Sequence, residues 1–200
     1  MPVGVPQLSF LIPGTKETED EDDKKNRLSH QRFLFVGDDI DPESANHAVG
    51  LITIYGIENK EEIIHCYINS NGGSAIGGLA IFASVTTGIA PVHTICVGTA
   101  ISMASFILSG GVSTKRLAFP HARVMIHQPV SSYLDGDLGI SALDLKQILS
   151  IRASVIYGYH ATTKQPPWII AIDLERDVFM TPEEAVAYGI VDVVGFKIEI

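Results

Sequence analysis

The chain has 200 residues, 46% of them apolar, enough for one domain with a substantial core. Its 14 Lys and Arg against 23 Asp and Glu give a formal net charge of −9, which argues against nucleic acid and against an anionic membrane surface as partners. The two cysteines, Cys66 and Cys96, both lie in apolar runs, and buried free thiols are expected rather than a disulfide. The most apolar stretch, 98–112, is shorter than the ~20 residues a bilayer requires and is interrupted by Gly, Ser and Thr. The N-terminus has neither a secretory nor a transit-peptide pattern, and its initiator Met favours a protein that stays where it is made.

Residues 1–15 hold three prolines and two glycines, too many for a regular element, and 16–25 carry six acids against three lysines. A disordered acidic segment is therefore expected over 1–25, a globular domain over 26–195 and a short tail over 196–200. Phe33–Val36 reads as a strand, and Pro42–Tyr55 as a helix started by Asp41 or Pro42. Ile63–Ile68 is a buried strand stopped by Asn69-Ser70-Asn71-Gly72-Gly73, and Ile76–Thr87 a helix. Val92–Val97 is a strand ended by Gly98, Ser102–Leu108 a helix, and Arg123–Ile126 a strand leading into His127. Ile140–His160 is the longest amphipathic segment, and Pro166–Asp173 a short helix with proline in its first turn. Thr181–Tyr188 carries an N-cap, a proline at the first position, two early glutamates and a stopping glycine; Ile190–Val194 closes with a strand. Strands alternating with helices predict an α/β fold with largely parallel strands.

Sites in such folds gather at the carboxyl ends of strands. The Gly72-Gly73 loop occupies one such end, where consecutive glycines let backbone amides face a developing anion; an ordinary turn has the same composition. Ser102 opens a helix just after a strand, a position that suits either an N-cap or a nucleophile with a base in reach. His127 leaves a strand in the equivalent position, whereas His65 and His93 lie within strands, His47 and His160 on helices, His121 beside Pro120 and His30 near the tail. A carboxylate to orient the imidazole is available at Asp173 or Asp177, and spacing does not separate them. Ala100-Ile101-Ser102-Met103-Ala104 lacks Gly-x-Ser-x-Gly, so no nucleophile elbow is expected and an α/β-hydrolase is excluded. No metal site is expected, because the cysteines are far apart and no His pair has ligand spacing on one helix.

Tyr67-Ile68-Asn69-Ser70-Asn71-Gly72-Gly73, Thr94-Ile95-Cys96, Ser102-Met103, Arg123-Val124-Met125-Ile126-His127-Gln128-Pro129 and Glu175-Arg176-Asp177-Val178-Phe179-Met180 together resemble the proteolytic subunits of ATP-dependent Clp proteases. The opening Met-Pro-Val-Gly-Val-Pro and the run from Thr114 to Arg123 look most like the plastid-encoded form. The resemblance implies Ser102 as nucleophile, His127 as general base and Asp177 as orienting acid, with the Gly73 and Met103 amides as oxyanion hole. It implies a crotonase-like fold of repeated ββα units with a helix-strand handle from Pro129 to Ile156. It further implies stacked seven-membered rings of homologous subunits, unfolded protein substrates, an AAA+ unfoldase as the ATP-consuming partner, no cofactor in the chain itself, and the chloroplast stroma as location, or otherwise the cytoplasm. Asn71 stands where the family pattern has proline, and Ile101 and Ala104 where it has alanine and glycine; the latter two, beside Ser102, point to a narrower or slower site. Two other readings compete: a structural ring subunit of the same complex, which the filled triad positions disfavour, and a crotonase-type acyl-CoA enzyme, which has no use for a Ser-His-Asp set.

Overall fold

A computed structural model of the chain describes residues 31–129 and 138–196. The acidic segment 1–25, residues 130–137 of the expected handle and most of the C-terminal tail lie outside the described residues. Chain order is β1 (Phe33–Val36), α1 (Pro42–Glu58), β2 (Ile64–Ser70), α2 (Ala75–Thr87), β3 (Val92–Ile101), α3 (Met103–Ser109), β4 (Arg116–Ala118), β5 (Arg123–Ile126), α4 (Leu138–Thr163), α5 (Pro167–Asp173), β6 (Val178–Met180), α6 (Pro182–Tyr188) and β7 (Val193–Val194). The main sheet runs β1-β2-β3-β4-β7 with every pair parallel. β5 branches from β3 in parallel and carries β6, the antiparallel member, on its other edge. This is the expected mixed α/β fold built on a parallel sheet. The ββα order appears at β4-β5-α4, whereas β1, β2 and β3 each lead into a helix.

Local chemistry explains most boundaries. Asp41 caps α1 by accepting the Ser44 amide at 2.7 Å, while the Ser44 hydroxyl accepts the Asp41 amide. Thr181 and Glu184 form the same reciprocal box at α6, and Gly189 ends that helix in the left-handed region at φ +94°. Three expectations are corrected. Gly98 does not end β3; the strand continues to Ile101, and Asn69 fills the break beside it. Asn69 Oδ1 accepts the Thr99 amide at 3.0 Å where the β2–β3 register shifts, and a Cβ on Gly98 would collide with that same oxygen. The final strand is only Val193–Val194, and the short strands β4 and β6 have no counterpart in the apolar periodicity.

The core is continuous from β1 through β3 to α4. Leu34, Cys66, Ile68, Ile81, Phe106, Ile107 and Tyr159 are almost completely buried. Phe82 stacks on Phe106 at 3.9 Å, and Tyr159 meets the Phe106 ring edge-on at 5.0 Å, which anchors α4 against α2 and α3. Both cysteines are buried and free, and burial pushes their thiols up to about 12. Among the described residues no helix is long and apolar enough to cross a membrane.

One buried cation ties the C-terminal half together. Arg116 donates from Nε and Nη2 to the two oxygens of Asp192, at 2.9 and 2.6 Å. Its Nη1 reaches the carbonyls of Ser109, Thr162 and Gly189, where α3, α4 and α6 end. Positive charge is favoured at helix C-termini, and the planar fork satisfies donors that are costly to bury alone. Burial by itself raises the Asp192 carboxyl, but the Arg116 hydrogen bonds and charge outweigh it and hold the group below the usual carboxylate range. Replacing Arg116 by Met should leave Asp192 partly buried without its cation, holding only backbone amides. We expect a loss of about 3 kcal/mol in unfolding free energy, read as a lowered denaturant midpoint with unchanged slope.

Candidate active site

Ser102 occupies the junction between β3 and α3 with φ +58° and ψ −122°, a conformation that L-residues rarely adopt. The chain therefore makes a sharp strand-to-helix turn even though Gly-x-Ser-x-Gly is absent, which corrects the expectation that no elbow exists. Ser102 is formally the N-cap of α3, yet its side chain makes no capping hydrogen bond. Its Oγ lies instead 2.8 Å from Nε2 of His127. The side chain is thus directed at an imidazole and not at its own helix.

Strand pairing brings the other groups in. Ile101 on β3 pairs with Met125 on β5, and the Ser102 amide donates to the Met125 carbonyl at 2.9 Å. On the other edge of β5, Ile126 pairs with Val178 in antiparallel register. Extending that register by one residue sets His127 opposite Asp177, and His127 Nδ1 is 3.2 Å from Asp177 Oδ1. The Gln128 amide donates to the Leu174 carbonyl at 2.8 Å and fixes the segment after His127. With its proton on Nδ1, the imidazole donates to Asp177 and leaves Nε2 free to accept from Ser102. Asp173 is elsewhere: it accepts from the Tyr188 hydroxyl at 3.1 Å and pairs with Arg176 at 3.5 Å.

The remaining described histidines do not compete. His65 and His93 lie side by side on β2 and β3, with ring centroids 5.5 Å apart. Burial, then the neighbouring His65 and Lys115, lowers His93 to about 4, so it is neutral near pH 7. His160 Nδ1 bonds the Gln165 carbonyl, and His47 and His121 are exposed on the surface. No group of three or more His, Cys, Asp or Glu among the described residues is arranged to hold a metal.

The glycine loop closes over the same turn. Gly72 and Gly73 have φ of +94° and +142°, accessible to them because they lack Cβ. A Cβ on Gly72 would meet the Ile101 carbonyl at 2.7 Å, Ser102 Cβ at 2.9 Å and the Met103 amide at 3.1 Å. Ile40 bridges the loop from the far side: its N–H donates to the Gly72 carbonyl and its carbonyl accepts the Ser74 amide, both at 2.7 Å. In an extended bridge the intervening Gly73 N–H points away from Ile40. The Met103 N–H opens α3, where no intrahelical acceptor exists. The two expected oxyanion-hole residues thus both flank the Gly72–Ser102 contact. Asn71 projects to solvent, Ala104 is fully buried within α3, and Ile101 is half-buried, so all three family departures fit without opening the Ser102–His127 contact.

Sequence reasoning missed two buried hydroxyls behind the turn. Ser105 Oγ is 2.7 Å from the carbonyls of both Ser102 and Met125, and 2.8 Å from the Tyr159 hydroxyl. The available signal was a serine three residues past Ser102 on a helix otherwise almost wholly apolar.

A family model described as Clp protease matches residues 16–197. A protein of Psilotum nudum called ATP-dependent Clp protease proteolytic subunit is 44% identical over 197 residues, covering 98% of this chain and 99% of its own length. Proteins of the same description from Cycas taitungensis and Staurastrum punctulatum are 47% and 45% identical, each covering 98% of this chain and 97% and 96% of their own lengths. With the match running from the acidic segment to the last strand, through every residue of the Ser102–His127–Asp177 line, this chain belongs to the Clp protease family.

Proposed function

We propose that the chain is a proteolytic subunit of an ATP-dependent Clp protease, a serine-type endopeptidase with Ser102 as nucleophile, His127 as general base and Asp177 as the acid that orients His127. The observation that carries this reading is the Ser102 Oγ to His127 Nε2 contact at 2.8 Å, made by a serine that declines to cap its own helix. His127 takes the Ser102 proton as Oγ attacks the scissile carbonyl, and the imidazolium is stabilised through Nδ1–H by Asp177. The tetrahedral oxyanion is received by the Gly73 and Met103 amides, fixed before reaction by Ile40 and by the start of α3. His127 then returns the proton to the leaving amine, and water, activated by the same imidazole, releases the acyl group from Ser102. None of these steps uses a cofactor; ATP is consumed by an AAA+ unfoldase that delivers unfolded chains.

Ring assembly with homologous subunits is supported by large apolar side chains left exposed on one chain: Leu145 and Leu149 on α4, and Trp168 and Ile172 on α5. The plant and algal sources of the relatives support a plastid location, with the stroma as the compartment where such a particle would work. A structural, non-catalytic ring subunit is disfavoured by the formed Ser102–His127 contact.

In assembled particles, a fluorophosphonate should label Ser102 alone at a rapid rate, and Ser102→Ala should abolish labelling by intact mass; equal labelling of both proteins would remove the nucleophile assignment. Asp177→Asn should lower kcat for a small fluorogenic peptide on the order of 10³–10⁴-fold, whereas Asp173→Asn should cost less than about tenfold. The opposite ranking would transfer the orienting role to Asp173. Sedimentation of the complex from its native source should give a particle many times the mass of one chain, and a monomer there would count against the ring.

A further inference from the structure

Ser102 holds a strained backbone conformation with φ +58°, and such geometry persists only where neighbours over-determine it. Its amide is held by Met125 on β5, and its carbonyl by the amides of Ser105 and Phe106 at 3.1 and 3.2 Å. The Ser105 hydroxyl adds a contact that the backbone ladder does not supply. It sits 2.7 Å from the Ser102 carbonyl and 2.7 Å from the Met125 carbonyl, so it joins the nucleophile's turn to the strand that leads into His127. One hydroxyl has one proton, which these two acceptors share. The remaining contact, the Tyr159 hydroxyl at 2.8 Å, must therefore run the other way, with Tyr159 donating and Ser105 Oγ accepting. Ser105 is fully buried and Tyr159 is 1% exposed, so water does not substitute for either partner. Burial pushes the Tyr159 phenol well above its ordinary value and keeps the donor proton in place. Tyr159 belongs to α4, near its C-terminal end, far in sequence from the residues it supports.

We infer that Ser105 and Tyr159 are a positioning pair for the Ser102 nucleophile, polarising and orienting the hydroxyl that bridges the Ser102 and Met125 carbonyls so that Oγ stays on the His127 Nε2 axis. The inference rests on the catalytic reading of Ser102 given above. Neither residue touches substrate, so their contribution belongs to the acylation rate and not to peptide binding.

The test uses the assembled full-length particle with Tyr159→Phe, Ser105→Ala and the double variant. Tyr159→Phe keeps the ring that packs on Phe106 and removes only the donor, so folding and assembly should survive, as sedimentation will verify. We expect its kcat to fall about fivefold with KM within twofold of wild type, and the rate of fluorophosphonate acylation of Ser102 to fall in parallel. Ser105→Ala should lose at least as much. Because the tyrosine acts only through the serine, the double variant should be no slower than Ser105→Ala. Unchanged kcat and acylation in Tyr159→Phe, a change confined to KM, or losses that multiply in the double variant would each overturn the pair. Wild-type particles that hydrolyse peptide without labelling at Ser102 would overturn the parent assignment and this one with it, an outcome distinct from a labelled wild type beside an equally fast Tyr159→Phe.

Discussion

Strand β5 is four residues long, yet the site depends on its two edges being in register at once. Parallel pairing with β3 sets Ile101 against Met125 and delivers Ser102 to the end of the strand. Antiparallel pairing with β6 sets Ile126 against Val178 and delivers Asp177 from the opposite direction. His127, one residue beyond β5, lies between them. A slip of one residue on either edge would send a side chain to the other face of the sheet, so the Ser-His-Asp line exists only while both pairings hold. The antiparallel pair is also what makes the chain order Ser, His, Asp workable, because β6 begins at the strand end from which His127 leaves and so sets the residue before it, Asp177, beside His127.

The turn at Ser102 is the second demand, since it asks a residue with a Cβ to occupy the left-handed region. The surrounding chain meets that demand with backbone from two directions. β5 holds the amide, the first turn of α3 holds the carbonyl, and Gly72 comes close enough that any larger residue would overlap Ser102 itself. Behind the turn lies the buried Ser105–Tyr159 pair, and behind that the Phe82–Phe106 stack, so the Ser102 turn rests on buried side chains. Gly78 belongs to the same arrangement: a Cβ there would press on the Met103 side chain at 2.6 Å, which fixes how closely α2 approaches the start of α3.

The polar side-chain pairs fall in two places. Arg116, buried and paired with Asp192, closes the ends of α3, α4 and α6 on one guanidinium. Asp177 and His127 stay partly exposed, with side-chain exposures of 65% and 26%, so their contact faces solvent. The buried guanidinium pair and the solvent-facing His127–Asp177 hydrogen bond are thus built from different residues.

The α/β class, the capped helices α1 and α6, the turn at Asn69–Gly73 and the positions of Ser102 and His127 at strand exits were all legible in the chain, because each has a local cause: a period, a cap, a proline or a pair of glycines. Family resemblance named Asp177 and the Gly73 and Met103 amides, where spacing alone left Asp173 and Asp177 equal. Tertiary structure decided the rest. β4 and β6 are three residues each, too short to show a period, and they form because a neighbouring strand offers hydrogen-bonding partners. Gly98 looks like a stop in sequence and is passed through by β3, because the Asn69 side chain fills the gap that a Cβ would have occupied. The elbow at Ser102 has no Gly-x-Ser-x-Gly signature, since its left-handed backbone is imposed by β5 and the Gly72 loop. Ser105 and Tyr159 are 54 residues apart, and only the packing of α4 across α3 makes them partners.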